Sequence, residues 1–267
     1  MTALLLGACA APWPSASRLP VPVATVSIEL APYFRGLKTA SVTVRGRPRT
    51  FLVDTAGGRT SVSPQLALEF GCTPRGRDFG YRMTGEAVAF QDCPQFTAWA
   101  GPWQVMLDPV GVFDVNALLP AELPRLDGVL ALDAFRGQVI SLDWALARID
   151  VLAPADAGPA FARDGLPVRI ATGENGSAVA TLVPVHAKTR LLWFLVDTGN
   201  IRSTLVARHV VDDHDLPAPD GDTLALAIGR RPSETLPVEL DDIHFDGVLG
   251  TEYLARHRLV IDLRRAP

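Results

Sequence analysis

Residues 51–55 read FLVDT, and residues 194–198 read FLVDT again. The longer stretches are FLVDTAGGRTS from Phe51 and FLVDTGNIRST from Phe194. Laid over one another without gaps, they match Ala56 to Gly199, Arg59 to Arg202, and Thr60-Ser61 to Ser203-Thr204. A second pair of blocks follows in the same order, DGVLALDAF from Asp127 and DGVLGTEYL from Asp246. Each is trailed by a strand-like run, QVISLD from Gln138 and RLVIDL from Arg258. One shared tetrapeptide arises easily by chance, but two blocks in the same order indicate an internal repeat, which has to be read before any local element.

The chain has 267 residues, enough for one large domain or two smaller ones at about 100–200 residues each. Apolar residues make up 48% and charged residues 20%, the balance of a globular protein rather than a disordered one. The net charge is −4 and no block of Lys and Arg stands out, which argues against nucleic acid as a partner. Short Val/Ile/Leu runs broken by frequent Gly and Pro favour strands and turns. An all-β fold is expected, with the hairpins 42–53 and 177–196 each leading into an aspartate. Short helical turns are expected at 64–70 and 205–211, and again within 133–135 and 252–255. The repeat divides the chain into a first lobe at 24–152, a connector at 153–165 and a second lobe at 166–267.

No apolar run is long enough to span a bilayer as a helix. The first residues, MTALLLGACAAPWPS, contain Leu6-Gly7-Ala8-Cys9, which resembles the lipobox of bacterial lipoproteins with Cys9 as the acylated residue. The basic residues that normally open a signal peptide are missing, so the true start lies upstream or the match is accidental. Residues 1–23 are read as this signal and a tether rich in Pro, Ala and Ser. The expected location is accordingly outside the cytoplasm, in the bacterial periplasm or lipid-anchored to the envelope. Cys72 and Cys93 remain as a pair. They form either a disulfide, worth about 3 kcal/mol by loop closure and suited to an oxidising compartment, or two buried thiols.

An apolar strand ending in Asp-Thr-Gly, followed later by two apolar residues, Gly and a short helix, resembles the motif of aspartic proteases. Pepsin carries it twice in one chain, and retroviral proteases carry it once and dimerise. The present chain looks like two retropepsin-like β-barrel lobes in tandem, similar to bacterial single-chain forms, over nearly all its length after the tether. The resemblance implies an aspartic endopeptidase acting on peptide or protein substrates as a monomer, with no cofactor and no metal.

The chemistry has its own physical logic. Two carboxylates side by side cannot both ionise cheaply, so one keeps its proton and the pair titrates as a unit. The ionised acid takes a proton from water and the protonated one donates to the scissile carbonyl. Asp54 and Asp197 are the expected catalytic pair. By resemblance, Thr55 and Thr198 cross-link the two loops, and Ala56, Gly57 and Gly199 lie beside the substrate backbone. The first copy departs from the pattern in having Ala56 for Gly and Ala131 where the second copy has Gly250. If those changes cost the first copy its geometry, the protein binds peptides without cutting them, and that inactive module is the rival reading.

The span from Asp54 to Asp127 is longer than that from Asp197 to Asp246. The extra length holds GYRMTGEAVAF, a hairpin candidate turning at Thr84-Gly85-Glu86. Tyr81, Met83, Thr84 and Gly85 are candidates for a flap over the site; the alternative makes Tyr81 and Met83 ordinary sheet residues. Asp241-Asp242-Ile243-His244-Phe245-Asp246 gathers acids around a histidine but reads better as a solvated loop than a metal site. Asp212-Asp213-His214-Asp215 reads as a polar turn. Trp99 and Trp103 are expected in the core. Arg59 and Arg202 either pair with acids or lie exposed.

Overall fold

The computed structural model describes residues 21–162, 165–172, 178–213 and 222–264. The lipobox candidate Cys9 and the tether before residue 21 lie outside the described residues, as do His214 and Asp215 of the polar turn. The protein is mostly β, as its composition suggests, and the strands among the described residues form two sheets, one of thirteen strands and one of seven. Within the second, six strands close into a barrel through an added pairing between Ala180–Ala187 and Thr223–Ile228. Closure removes free edges that would otherwise invite pairing with other chains.

The repeat is visible as the same local weave in both sheets. Strand Arg47–Val53 runs parallel to Gly128–Leu130, pairing Phe51 with Gly128 and Val53 with Leu130. Strand Arg190–Val196 runs parallel to Gly247–Leu249, pairing Phe194 with Gly247 and Val196 with Leu249. The second-block aspartates perform one task twice: an Asp127 carboxylate oxygen accepts the Thr50 amide at 2.8 Å, and an Asp246 oxygen accepts the Trp193 amide at 2.8 Å. Each bond anchors the start of an apolar run that must enter the core in one register, because a one-residue slip would turn every side chain to the wrong face. Phe51 and Phe194 are completely buried at equivalent places in that core. Glycine is required opposite them: a Cβ on Gly128 would lie 2.2 Å from the Ser61 carbonyl oxygen, and one on Gly247 would lie 2.4 Å from the Phe194 ring.

Helix Pro64–Glu69 forms where its sequence asks for one. Proline opens it and the Ser63 hydroxyl accepts the Leu66 amide at 3.1 Å. The apolar run at 205–211 is not a helical turn throughout. Thr204–Ala207 is a fully buried strand with partners on both sides, and the helix spans Arg208–Asp213. A short apolar run fits a buried strand as well as a helix, and here the neighbouring strands decide it. Short helices at Leu132–Phe135 and Thr251–Leu254 close the second blocks, and helix Pro154–Ala162 lies in the connector. The last strand, Arg258–Asp262, leaves its own half and pairs with Val139–Asp143 of the first sheet.

Strands Arg75–Tyr81 and Ala87–Cys93 form the expected hairpin. Its turn is closed by Arg82 N–H to the Glu86 carbonyl and Gly85 N–H to the Arg82 carbonyl, with Gly85 at φ +88°. Cys93, at the foot of the hairpin, is disulfide-bonded to Cys72 just after the helix, with the Cα atoms 6.0 Å apart. Trp103 is buried and donates to the Ala134 carbonyl at 3.2 Å, but Trp99 is 46% exposed and no core residue. The period-two alternation of its strand turns Trp99 outward, while Ala98 and Ala100 face in.

Two glycines test this packing, one in each copy of the repeat. Gly128→Ala forces backbone apart and should destabilise the protein by at least about 1–3 kcal/mol, the cost of overpacking. Gly247→Ala, whose added carbon would fall 2.4 Å from the Phe194 ring, should cost a similar amount. Chemical denaturation of the two variants beside the parent measures both.

Candidate functional site

The two FLVDT strands end back to back. The Thr55 amide donates to the Thr198 hydroxyl at 3.0 Å, and the Thr198 amide donates to the Thr55 hydroxyl at 3.1 Å. Each hydroxyl then donates across the junction: Thr55 to the Val196 carbonyl at 2.7 Å and Thr198 to the Val53 carbonyl at 2.9 Å. Both threonines are buried, and each hydroxyl both donates and accepts, so no polar atom of the lock is left unpaired.

The lock sets the position of the residue before each threonine. Asp54 and Asp197 take equivalent backbone bonds, Asp54 N–H to the Leu130 carbonyl and Asp197 N–H to the Leu249 carbonyl. Their carboxyls lie close enough that each perturbs the other's ionisation. The loops that follow aim amides at the acids: Ala56 N–H lies 2.9 Å from one Asp54 oxygen, and Gly199 N–H lies 2.7 Å from one Asp197 oxygen. Gly199 has to be glycine, since a Cβ there would sit 2.7 Å from the other Asp54 oxygen. Gly57 is close too, with its added carbon 3.2 Å from the Asp54 carboxyl carbon. The methyl of Ala56 is accommodated and packs against the core. Ala131 is likewise buried without disturbing the short helix it precedes, whereas a Cβ on Gly250 would meet the Arg202 carbonyl at 2.7 Å. The departures in the first copy thus leave the geometry of its loop intact.

Loss of hydration holds the Asp197 carboxyl well above the usual carboxylate range, and the neighbouring Asp54 charge pushes it further. Burial raises Asp54 as well, against the stabilising amides of Ala56 and Gly57. The pair therefore keeps a proton to higher pH than two separate aspartates would. In chemical terms the site offers one shared proton, a carboxylate lone pair and flanking loop backbone.

Sequence reading did not find the partners that fasten the surroundings. Arg59, buried behind the first loop, reaches both strands of the hairpin, pairing with Asp78 at 3.2 Å and Asp92 at 2.8 Å. Its repeat counterpart Arg202 pairs with Glu239 and Asp241, so the acid-rich 241–246 stretch supplies ion-pair partners. Among the described residues no cluster is suited to a metal ion. Asp133 is buried in the first half, and both its oxygens accept the Thr60 amide at 2.9 and 3.0 Å. Burial outweighs these bonds and lifts its pKa to about 6. The repeat itself was the available signal for both arginines and for Asp133, whose counterpart Glu252 is exposed.

The flap candidates separate. Tyr81 is 74% exposed and Met83 is half-buried against the core, while Thr84 and Gly85 form the tip. The tip touches the second half: the His244 amide donates to the Met83 carbonyl at 2.9 Å.

No family model and no curated protein matches the chain. Among solved structures it is similar to basic 7S globulin from soybean, with a TM-score of 0.55 at 11% identity over 92% of this chain and 94% of that one. It is similar also to conglutin gamma, a basic 7S globulin from lupine seeds, with a TM-score of 0.56 at 10% identity over the same shares. These likenesses show a shared fold. They also correct two expectations. No family model and no curated protein supports a bacterial tandem retropepsin, and the two neighbours are globulins by name, so assignment of the chain to that protease family as an aspartic endopeptidase is overturned. The physical reason is that buried threonines, a small residue after them and an anchored apolar strand are what the paired loops need to fold, whatever chemistry follows.

Asp133 supplies a pH test of the site's framework. Its folded pKa lies above the ordinary value of 3.8, so its stabilisation is complete below that value and is lost as pH rises through about 6. Stability should decline across that window, and Asp133→Asn should remove roughly 2–3 kcal/mol of the decline. Urea denaturation of both proteins from pH 4 to pH 7 measures the difference.

Proposed function

We propose that the chain is a catalytically inactive peptide-binding module on a bilobal scaffold, exported to the bacterial envelope. Residues 24–152 and 166–267 are the two lobes and 153–165 their connector, with the exchanged strand Arg258–Asp262 tying one to the other. Export is supported by the lipobox-like Cys9, which would anchor the module to a membrane, and by the Cys72–Cys93 disulfide. One chain supplies both halves of the site, which makes a monomer sufficient.

One juxtaposition carries the reading. At the junction of the halves lie a protonated acid pair with small-residue loops and a hairpin that reaches across to the other half. The hairpin's outer strand, Arg75–Tyr81, ends the sheet order among the described residues, so one row of its backbone groups has no strand neighbour there. An extended peptide can add to such a row by main-chain hydrogen bonds, with alternate side chains received by the site. Small residues at 56, 57 and 199 allow its backbone to approach the acids, which present a donor and acceptors matched to a peptide group. The inactive reading rests not on lost loop geometry, which both departures leave intact, but on structural neighbours that are globulins by name.

The test is incubation with a decapeptide library, followed by mass spectrometry of the retained fraction and of the soluble products. A subset of peptides should be retained and none cut. Asp54→Asn and Asp197→Asn should each change retention by less than about threefold, because main-chain pairing holds the ligand. New peptide termini among the products, or no retained peptide, would contradict the proposal.

A further inference from the structure

His257 ends the short link between helix Thr251–Leu254 and the exchanged strand Arg258–Asp262. Its ring stacks on Tyr253, with the centroids 4.2 Å apart, and the Arg256 guanidinium lies over the same tyrosine at 5.9 Å. Two further groups meet its nitrogens. Arg231, in the turn between strands Thr223–Ile228 and Glu234–Asp241, places a guanidinium nitrogen 3.1 Å from Nδ1. Glu234, which opens the second of those strands, has an oxygen 3.7 Å from Nε2. Nε2 itself is buried and has no hydrogen-bond partner among the described residues.

These contacts fix the state of the ring. A guanidinium has donors only and keeps its charge throughout the physiological range. Nδ1 must therefore accept from Arg231, and the single hydrogen of the neutral ring sits on Nε2, on the side of Glu234. A proton that charges the ring has to bind Nδ1, because Nε2 already carries its hydrogen. Arg231 and that proton compete for one lone pair.

We propose that His257 is a pH switch that exchanges partners: neutral, it holds the Arg231 turn against the root of the exchanged strand; protonated, it releases Arg231 and pairs with Glu234. The groups facing the ring pull in both directions. Loss of hydration opposes its charging most, and the Arg231 and Arg256 charges oppose it too, while Glu234 favours it. Tyr253 stays neutral, its pKa raised to about 12 by burial, and its ring face tolerates a cation. The balance puts the His257 pKa below the ordinary 6.5. The Arg231 tie is therefore intact above that pH and is lost as pH falls through the lowered value. Release leaves the barrel closed, since the Gly229 amide still donates to the Pro184 carbonyl at 2.8 Å. What comes free is the Arg231 side chain, and with it the tie between turn and link. The switch involves neither the acid pair nor a peptide, so it stands or falls apart from the function proposed above.

The experiment follows the ring nitrogens of His257 and the guanidinium of Arg231 by NMR from pH 8 to pH 4, in the full chain and in its Arg231→Met, Glu234→Gln and Arg256→Met variants. Thermal unfolding checks that each variant folds. At pH 8 the ring hydrogen should sit on Nε2. On acidification the Arg231 signals should change with the same midpoint as the ring. Arg231→Met removes the competitor for the lone pair and should raise that midpoint by roughly one pH unit. Glu234→Gln removes the acid that receives the charged ring and should lower it by roughly half a unit. Arg256→Met removes a charge but no bond to the ring, so its shift should be clearly smaller than that of Arg231→Met. A ring hydrogen on Nδ1 at pH 8, or a ring that stays neutral down to pH 4, overturns the switch. Equal shifts in Arg231→Met and Arg256→Met overturn it too, because charge alone would then account for them. A midpoint unmoved by Glu234→Gln removes the second partner and with it the exchange. Should Arg231→Met fail to fold, separate midpoints for the ring and for Arg231 in the parent protein overturn it alone.

Discussion

The structure depends on the reciprocal bonding of Thr55 and Thr198. Each threonine gives its amide to the other's hydroxyl, and each hydroxyl reaches a carbonyl in the opposite strand. Four hydrogen bonds in a dry junction are strong in place and costly to leave half-made, since a single unmatched partner would strand buried polar groups. The halves are therefore held in one relation, with the exchanged strand Arg258–Asp262 as a second tie. Asp54 and Asp197 meet because they precede the locked threonines. Without the lock, two carboxyls would separate to keep their water; with it, they share a proton and their ionisation is pushed upward.

Much of this was legible in the chain. The two FLVDT strands and the two GVL strands beside them follow from a repeat in which packing and register favour the same residues, and the hairpin between Arg75 and Cys93 from the turn in the first copy's extra length. Gly128 and Gly247 face aromatic rings that leave no room for a side chain. The hairpin's turn carries a glycine in the left-handed region. What the sequence concealed was set by distant neighbours. Thr204–Ala207 is a strand because two other strands lie beside it. Arg59 finds its acids on strands later in the chain, and Met83 meets His244 across the whole length between them. No local pattern encodes such meetings.

The chemistry was the least legible part. An aspartate that follows a core strand and precedes a buried threonine has the same sequence surroundings whether it serves catalysis, ligand recognition or the loop's own hydrogen bonds. The resemblance to proteases read the scaffold correctly as β-rich, and went too far in reading an activity. The structural neighbours, globulins at about one residue in ten identical, mark that boundary. The hairpin of the first copy is tied by a disulfide and an arginine at its foot and by the His244 amide at its tip.

The central claim is that the threonine lock forces two remote aspartates to share one proton. Its most direct test is a pH titration of the side-chain carboxyl carbons of Asp54 and Asp197 by NMR. The account predicts that the two resonances move together in coupled steps, with at least one step well above the ordinary aspartate range. Two independent transitions, each near the ordinary value, would contradict it.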